Sequence, residues 1–134
     1  MIVVDSSAVV AMFLREPDHE AIADVLDQAD AASISVASRL ELVSVLCGKR
    51  IGADPVRVSR FIDDLRLDHV AVSHDHMNLA IDALLRFGKG RHPAQLNLGD
   101  CFAYALAKSL DAPLLFKGDD FARTDIIAAW QPAA

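Results

Sequence analysis

Four acids stand where a parallel sheet would gather them: Asp5, Glu41, Asp100 and Asp119, with Asp120 adjoining the last. Asp5 directly follows the apolar run Ile2-Val3-Val4. Glu41 falls in the first turns of the helix expected after a second strand. Asp100 falls in the first turn of the helix after a Gly-Lys-Gly-Arg-His loop, and Asp119 and Asp120 follow the run Leu114-Leu115-Phe116. In an open parallel sheet, ligands bind beyond the carboxyl ends of the strands. Carboxylates brought together there repel one another, and some stay protonated unless a cation intervenes. A hard divalent ion with oxygen ligands removes the repulsion. Mg²⁺ suits such a set, because it takes one or two carboxylates directly and keeps several waters. An ion so held can activate water and stabilise charge developing on a phosphodiester. The expected chemistry is metal-dependent phosphoryl or phosphodiester transfer.

Each acid also has a plainer reading. Asp5 can cap the helix that begins at Ser6. Ser38-Arg39-Leu40-Glu41 matches a capping box, and Asn97-Leu98-Gly99-Asp100 reads as a cap with a first-turn acid. Asp119 and Asp120 can be turn residues after Gly118. What favours a site is recurrence, since acids such as Asp18, Glu20, Asp27 and Asp63 fall on outer helix faces instead.

The elements that must position these acids are legible as short apolar strands alternating with helices. Ile2–Val4, Ala32–Ser35, His69–Val72 and Leu114–Phe116 read as strands, the first as one buried on both faces. Helices are expected over Ser6–Leu14, from Pro17 along the stripe Ile22, Val25, Leu26 and Ala29, and over Ala37–Arg50. Others follow from Asp54-Pro55, from Ser73 to about Phe87, and from Asn97 or Leu98 to about Leu110, with a short one beginning at Thr124. This alternation implies one α/β domain, with a parallel sheet covered by helices on both faces.

Composition narrows the class. The chain has 134 residues and 53% hydrophobic content, enough for a core and against intrinsic disorder. No apolar run approaches the ~18 residues a membrane span needs. Met1-Ile2-Val3-Val4-Asp5 has no basic stretch of the kind that opens a signal peptide, and Cys47 and Cys101 form no CxxC pair, so a reducing cytoplasm is expected. With 13 Lys+Arg against 19 Asp+Glu, the net charge of −6 argues against broad coating of nucleic acid, though a local basic patch is compatible with it.

The blocks Ile2-Val3-Val4-Asp5-Ser6-Ser7-Ala8, Ser38-Arg39-Leu40-Glu41-Leu42, Leu98-Gly99-Asp100-Cys101 and Leu114-Leu115-Phe116-Lys117-Gly118-Asp119-Asp120-Phe121 resemble the PIN domain, and more narrowly the VapC toxins of type II toxin–antitoxin modules. The resemblance spans residues 1–134 as a single domain. It implies a three-layer α/β/α sandwich with a central, mainly parallel sheet. It also implies a Mg²⁺-dependent endoribonuclease, Mn²⁺ being an alternative ion, that cleaves tRNA or rRNA by attack of metal-activated water. The family's acids carry over onto Asp5, Glu41, Asp100 and Asp119 as catalytic and metal-ligating residues, with Asp120 beside the fourth. Ser6 stands where the family often has threonine, so a hydroxyl is kept. A VapB-type antitoxin whose tail places an arginine among the carboxylates is implied as partner, and so is a homodimer, for which Val58, Phe61 and Ile62 are candidate contacts.

An acidic site needs cations nearby to hold RNA. Lys89, Arg91 and Lys117 are the leading candidates, with Arg86 and His92 beside the same loop; Arg86 can also be an ordinary helix-end charge, and Lys49 and Arg50 are better explained as such. Ser7 either orients Asp5 or a phosphate, or is only a helix-start hydroxyl. Two other classes remain in view. A catalytically silent PIN fold that only binds RNA or protein would have no need of the full acid set. A receiver-type signalling domain expects an acidic pair after its first strand, whereas Ser6 follows Asp5 here.

Overall fold

The β-branched run Ile2-Val3-Val4 forms strand β1 (Ile2–Val4), which lies inside a four-stranded sheet in the computed structural model; the structure describes residues 1–133. On one side β1 pairs with β2 (Ala32–Ser35), which pairs in turn with β3 (Asp68–Val70). On the other side it pairs with β4 (Leu114–Leu115). All three pairings are parallel, in the order β3-β2-β1-β4. The chain moves outward from β1 through β2 to β3, then returns to the opposite side for β4. The carboxyl ends of β1 and β4 therefore flank the point where the winding reverses, the place where an open α/β sheet leaves a crevice.

Alternation along the strands divides the core in two. Val3 and Leu114 face a layer built by α5 (His74–Phe87) and α6 (Leu98–Leu110), including Ala83, Phe87, Tyr104 and Leu106. Ile2, Val4, Ile34 and Leu115 face a layer built by α1 (Ser6–Leu14), α2 (His19–Gln28), α3 (Val36–Cys47) and α4 (Pro55–Asp64). The result is three layers with the sheet in the middle. Leu114 and Leu115 are adjacent yet fully buried on opposite faces, each contributing roughly 1.5–3 kcal/mol through burial. The fourth helix opens as expected, with the Asp54 side chain accepting the Arg57 N–H and Pro55 at the first helical position.

Several expectations shift. Ser35 caps α3 by accepting the Ala37 N–H, so the helix begins at Val36 and stops at Cys47, short of Arg50. β3 runs over Asp68–Val70 rather than His69–Val72. Being an exposed edge strand, it pairs on one side only, through β2. No α-helix begins at Thr124; a single 3-10 turn covers Phe121–Arg123 and ends there. The Thr124 hydroxyl donates to the Phe121 carbonyl and accepts the Ile126 N–H, turning the chain outward. Residues Ile127–Ala129 then bond along the free edge of β4. Val58 and Ile62 are wholly buried in the chain's own core, and Phe61 packs edge-on against Phe13 at 5.2 Å between ring centroids, so these side chains are occupied internally.

Candidate metal centre and active site

The local rules that end β1 and start α1 also place the first acid. Asp5 is extended, its backbone N–H donates to the Leu115 carbonyl, and its Oδ2 accepts the Ser7 N–H at 3.0 Å as the N-cap of α1. That bond uses one carboxylate oxygen. Oδ1 is buried and has no hydrogen-bond partner in the protein. Asp100 repeats the pattern on α6. Asn97 accepts the Asp100 N–H, and Asp100 Oδ2 accepts the Asn97 N–H, closing a reciprocal capping box. Each cap thus uses Oδ2 and leaves Oδ1 of the same side chain outside the cap bond.

Glu41 reaches the same place from α3. It is not the cap partner of Ser38, because α3 has already been capped by Ser35. Instead the Ser6 hydroxyl donates to Glu41 Oε1 at 2.5 Å. One oxygen each from Asp5, Glu41 and Asp100 lie within 4.8 Å of one another. Burial of Asp5 and Asp100 disfavours their charged forms. Asp5 is pushed from 3.8 up to about 6, chiefly by burial, with the Glu41 charge adding to it against the lowering effect of Ser7. Asp100 is pushed to about 7, again mainly by burial, with Asp5, Asp120 and Glu41 as neighbouring charges. A set of oxygen donors that is mostly buried, mutually repelling and partly unpartnered fits a hard divalent cation, whose charge would offset the repulsion and partner the free oxygen.

A cleft of about 400 Å³ opens onto this cluster, lined in part by Asp5, Ser7, Asp100 and Lys117 and by the apolar Val10 and Val45. Glu16 also lines it and was not among the sequence-derived candidates; nothing but its position after α1 could have signalled it. Ser7 acts as a tie between elements, its Oγ accepting the Lys117 backbone N–H at 3.0 Å, so it fixes the exit of β4 against the start of α1. The Lys117 ammonium is drawn to the Pro17 carbonyl at 2.7 Å.

Asp119 and Asp120 are exposed and lie outside the Asp5–Glu41–Asp100 trio. Both line a neighbouring cavity of about 390 Å³, together with Lys89, Asn97 and Arg123. Asp120 is the one among the charges that raise Asp100. Of the two loop cations, Lys89 reaches this cavity, while Arg91 is exposed on the loop and lines neither space. Arg123 was not among the sequence-derived candidates; it precedes the helix expected from Thr124, and only the folding of the 3-10 turn Phe121–Arg123 brings it to this cavity.

No described helix is long and apolar enough to cross a membrane. Comparison with known proteins places the chain. The PIN domain family matches residues 2–127. Ribonuclease VapC30 of Mycobacterium tuberculosis is 42% identical over 131 residues, covering 97% of this chain and 99% of the relative. Ribonuclease VapC of Mycolicibacterium smegmatis is 41% identical over 127 residues, covering 94% and 98%. Among solved structures, Mycobacterium tuberculosis VapC20, described as a Sarcin-Ricin loop cleaving toxin, superimposes with a TM-score of 0.77 at 17% identity, covering 98% of this chain and all of that one. A toxin–antitoxin complex from Klebsiella pneumoniae gives 0.70 at 13% identity, with 98% and 100% covered. These neighbours share the α/β/α fold, and the chain belongs to the PIN domain family and, within it, to the VapC ribonucleases.

Proposed function

We propose that this chain is the toxin of a toxin–antitoxin module, an endoribonuclease that hydrolyses RNA phosphodiesters with Mg²⁺ or Mn²⁺ held by Asp5, Glu41 and Asp100. The observation that carries the metal reading is the buried, unpartnered Oδ1 of Asp5, on a carboxylate that has an oxygen within 4.8 Å of oxygens from the other two acids. Its near relatives are named ribonucleases, and a structural neighbour is a toxin–antitoxin complex, which supports the class of reaction and of partner. When bound, such an ion lowers the pKa of coordinated water and offsets charge on the phosphate. The protein's own part is placement. Asp5 and Asp100 each keep Oδ2 fixed in a helix cap, which leaves the other oxygen to meet a cation. Ser6 holds Glu41 toward them. The fourth carboxylate comes from Asp119 or Asp120, with Asp120 supported by its charge acting on Asp100. Ser7 and Lys117 line the cleft that receives the scissile strand, and Lys89 and Arg123 in the neighbouring cavity, with Arg91 exposed on the loop beyond it, offer cations to flanking phosphates, contacts that position RNA without reading its sequence.

The same reading gives the protein a VapB-type antitoxin that covers the cleft and presents cationic groups to the carboxylates, a homodimeric state, and a place in the cytoplasm. Incubating the purified protein with total RNA, then mapping the new ends, tests the activity. Cleavage by wild type in Mg²⁺ or Mn²⁺ that disappears in EDTA and in Asp100→Asn supports it. Equal cleavage by Asp100→Asn overturns it.

A further inference from the structure

Six glycines occur in the chain, and three of them, Gly52, Gly90 and Gly118, sit at positive φ, where a side chain is strained. Gly99 does not. It lies in the first turn of α6, in ordinary helical backbone, where alanine is the better helix former by up to ~1 kcal/mol. Local structure therefore gives no reason for glycine at this position. The reason lies across the gap to α3. A methyl group built on Gly99 would overlap Oε2 and Cδ of Glu41 and stand 2.6 Å from Oε1. At Gly48 and Gly88 the closest obstacle is a backbone carbonyl of the preceding helical turn; at Gly99 it is the end of one flexible side chain.

We propose that Gly99 is a positioning residue for the metal centre: the missing side chain is the seat in which the Glu41 carboxylate rests, and any larger residue displaces that carboxylate without unfolding α6. Two features make the seat specific. Ser6 holds Oε1 from the α1 side, so the carboxylate is fixed between a donor and a surface that has no Cβ. Asp100, the next residue, is tied independently by its capping box with Asn97, so a change at Gly99 reaches Glu41 before it reaches Asp100. The proposal rests on the metal-site reading above for its consequence, though the seat itself is a matter of packing. Glu41 has rotamers that carry its carboxylate out of the seat, and this freedom is why the substitution costs the site and not the fold.

The test combines a crystal structure of Gly99→Ala with Mn²⁺ calorimetry on wild type, Gly99→Ala, Glu41→Ala and the double variant. The expected structure has the Asn97–Asp100 box intact and the Ser6–Glu41 hydrogen bond broken. The expected titrations show Mn²⁺ affinity falling at least tenfold from wild type to Gly99→Ala, and unchanged between Glu41→Ala and the double variant, because no carboxylate is left to displace. An intact Ser6–Glu41 bond with wild-type affinity in Gly99→Ala overturns the proposal. An equal further loss when Gly99→Ala is added to Glu41→Ala also overturns it, since the effect would then run through α6 itself. If wild type takes no Mn²⁺, the metal reading fails by itself, and the Ser6–Glu41 bond in the variant structure alone decides the role of Gly99.

Discussion

Ser6 Oγ donates to Glu41 Oε1 at 2.5 Å, joining the first residue of α1 to the middle of α3 across 35 positions of sequence. The bond explains why a hydroxyl is useful beside the first acid: it orients the carboxylate that lies furthest from its own helix cap. Ser6→Ala is expected to weaken Mn²⁺ binding roughly fivefold, about 1 kcal/mol, while Ser6→Thr keeps the hydroxyl and most of the affinity. Calorimetry on the two variants checks this, and equal losses in both would mean that packing rather than the hydroxyl matters.

Asp5 carries two roles on two oxygens, and one substitution separates them. Asparagine is as good an N-cap as aspartate but cannot bring a charge to a cation. In EDTA at pH 8, Asp5→Asn is expected to melt at or above the wild-type temperature, because it keeps the Ser7 bond and removes a buried charge. Its Mn²⁺ affinity is expected to fall more than tenfold. A clearly lower melting temperature in EDTA would show that the carboxylate is needed by the fold itself.

The pH dependence follows with a sign opposite to that of a salt-bridged acid. Asp5 and Asp100 stand at about 6 and about 7 in the folded chain, above the ordinary 3.8. Between about pH 4 and pH 7 the folded state therefore binds more protons than the unfolded state, and these groups favour folding less and less as pH rises. For buried Asp5 the full penalty, reached above its folded pKa, is on the order of 3 kcal/mol. The melting advantage of Asp5→Asn over wild type in EDTA should accordingly be larger at pH 8 than at pH 5. Mn²⁺ binding should release protons and weaken as pH falls from 7 to 5. A gap between the two proteins that stays constant with pH would contradict the burial argument.

Much of this site was legible in the sequence, and the reasons for what was not are physical. Asp5, Glu41 and Asp100 could be named because strand exits and helix starts are local features, marked by Val4-Asp5 and by Asn97-x-x-Asp100. The competing cap readings were correct for Asp5 and Asp100, and they do not exclude a site, because each cap occupies one oxygen. Glu41 misled in another way: the Ser38 box was absent because Ser35 capped first, a choice between neighbouring serines that spacing cannot make. Arg123 and Glu16 were invisible because their relevance depends on tertiary placement. The segment from Thr124 was misread as helix, since pairing along β4 outweighed local propensity.

The two late acids are expected to differ. Asp120 acts on Asp100, whereas Asp119 lines both this cavity and another beneath the C-terminal segment. Asp120→Asn should reduce Mn²⁺ affinity and RNA cleavage severalfold, with a smaller effect from Asp119→Asn. Parallel cleavage assays decide it, and the reverse order would assign the fourth carboxylate to Asp119.

The central claim is that three carboxylates from β1, α3 and α6 form one metal site. Titrating Mn²⁺ by calorimetry into metal-stripped wild type and Glu41→Gln tests it most directly, because glutamine keeps the size and the Ser6 acceptor but removes the charge. Wild type should bind Mn²⁺, and the variant should bind it at least tenfold more weakly. Equal binding by both, or none by wild type, would contradict it.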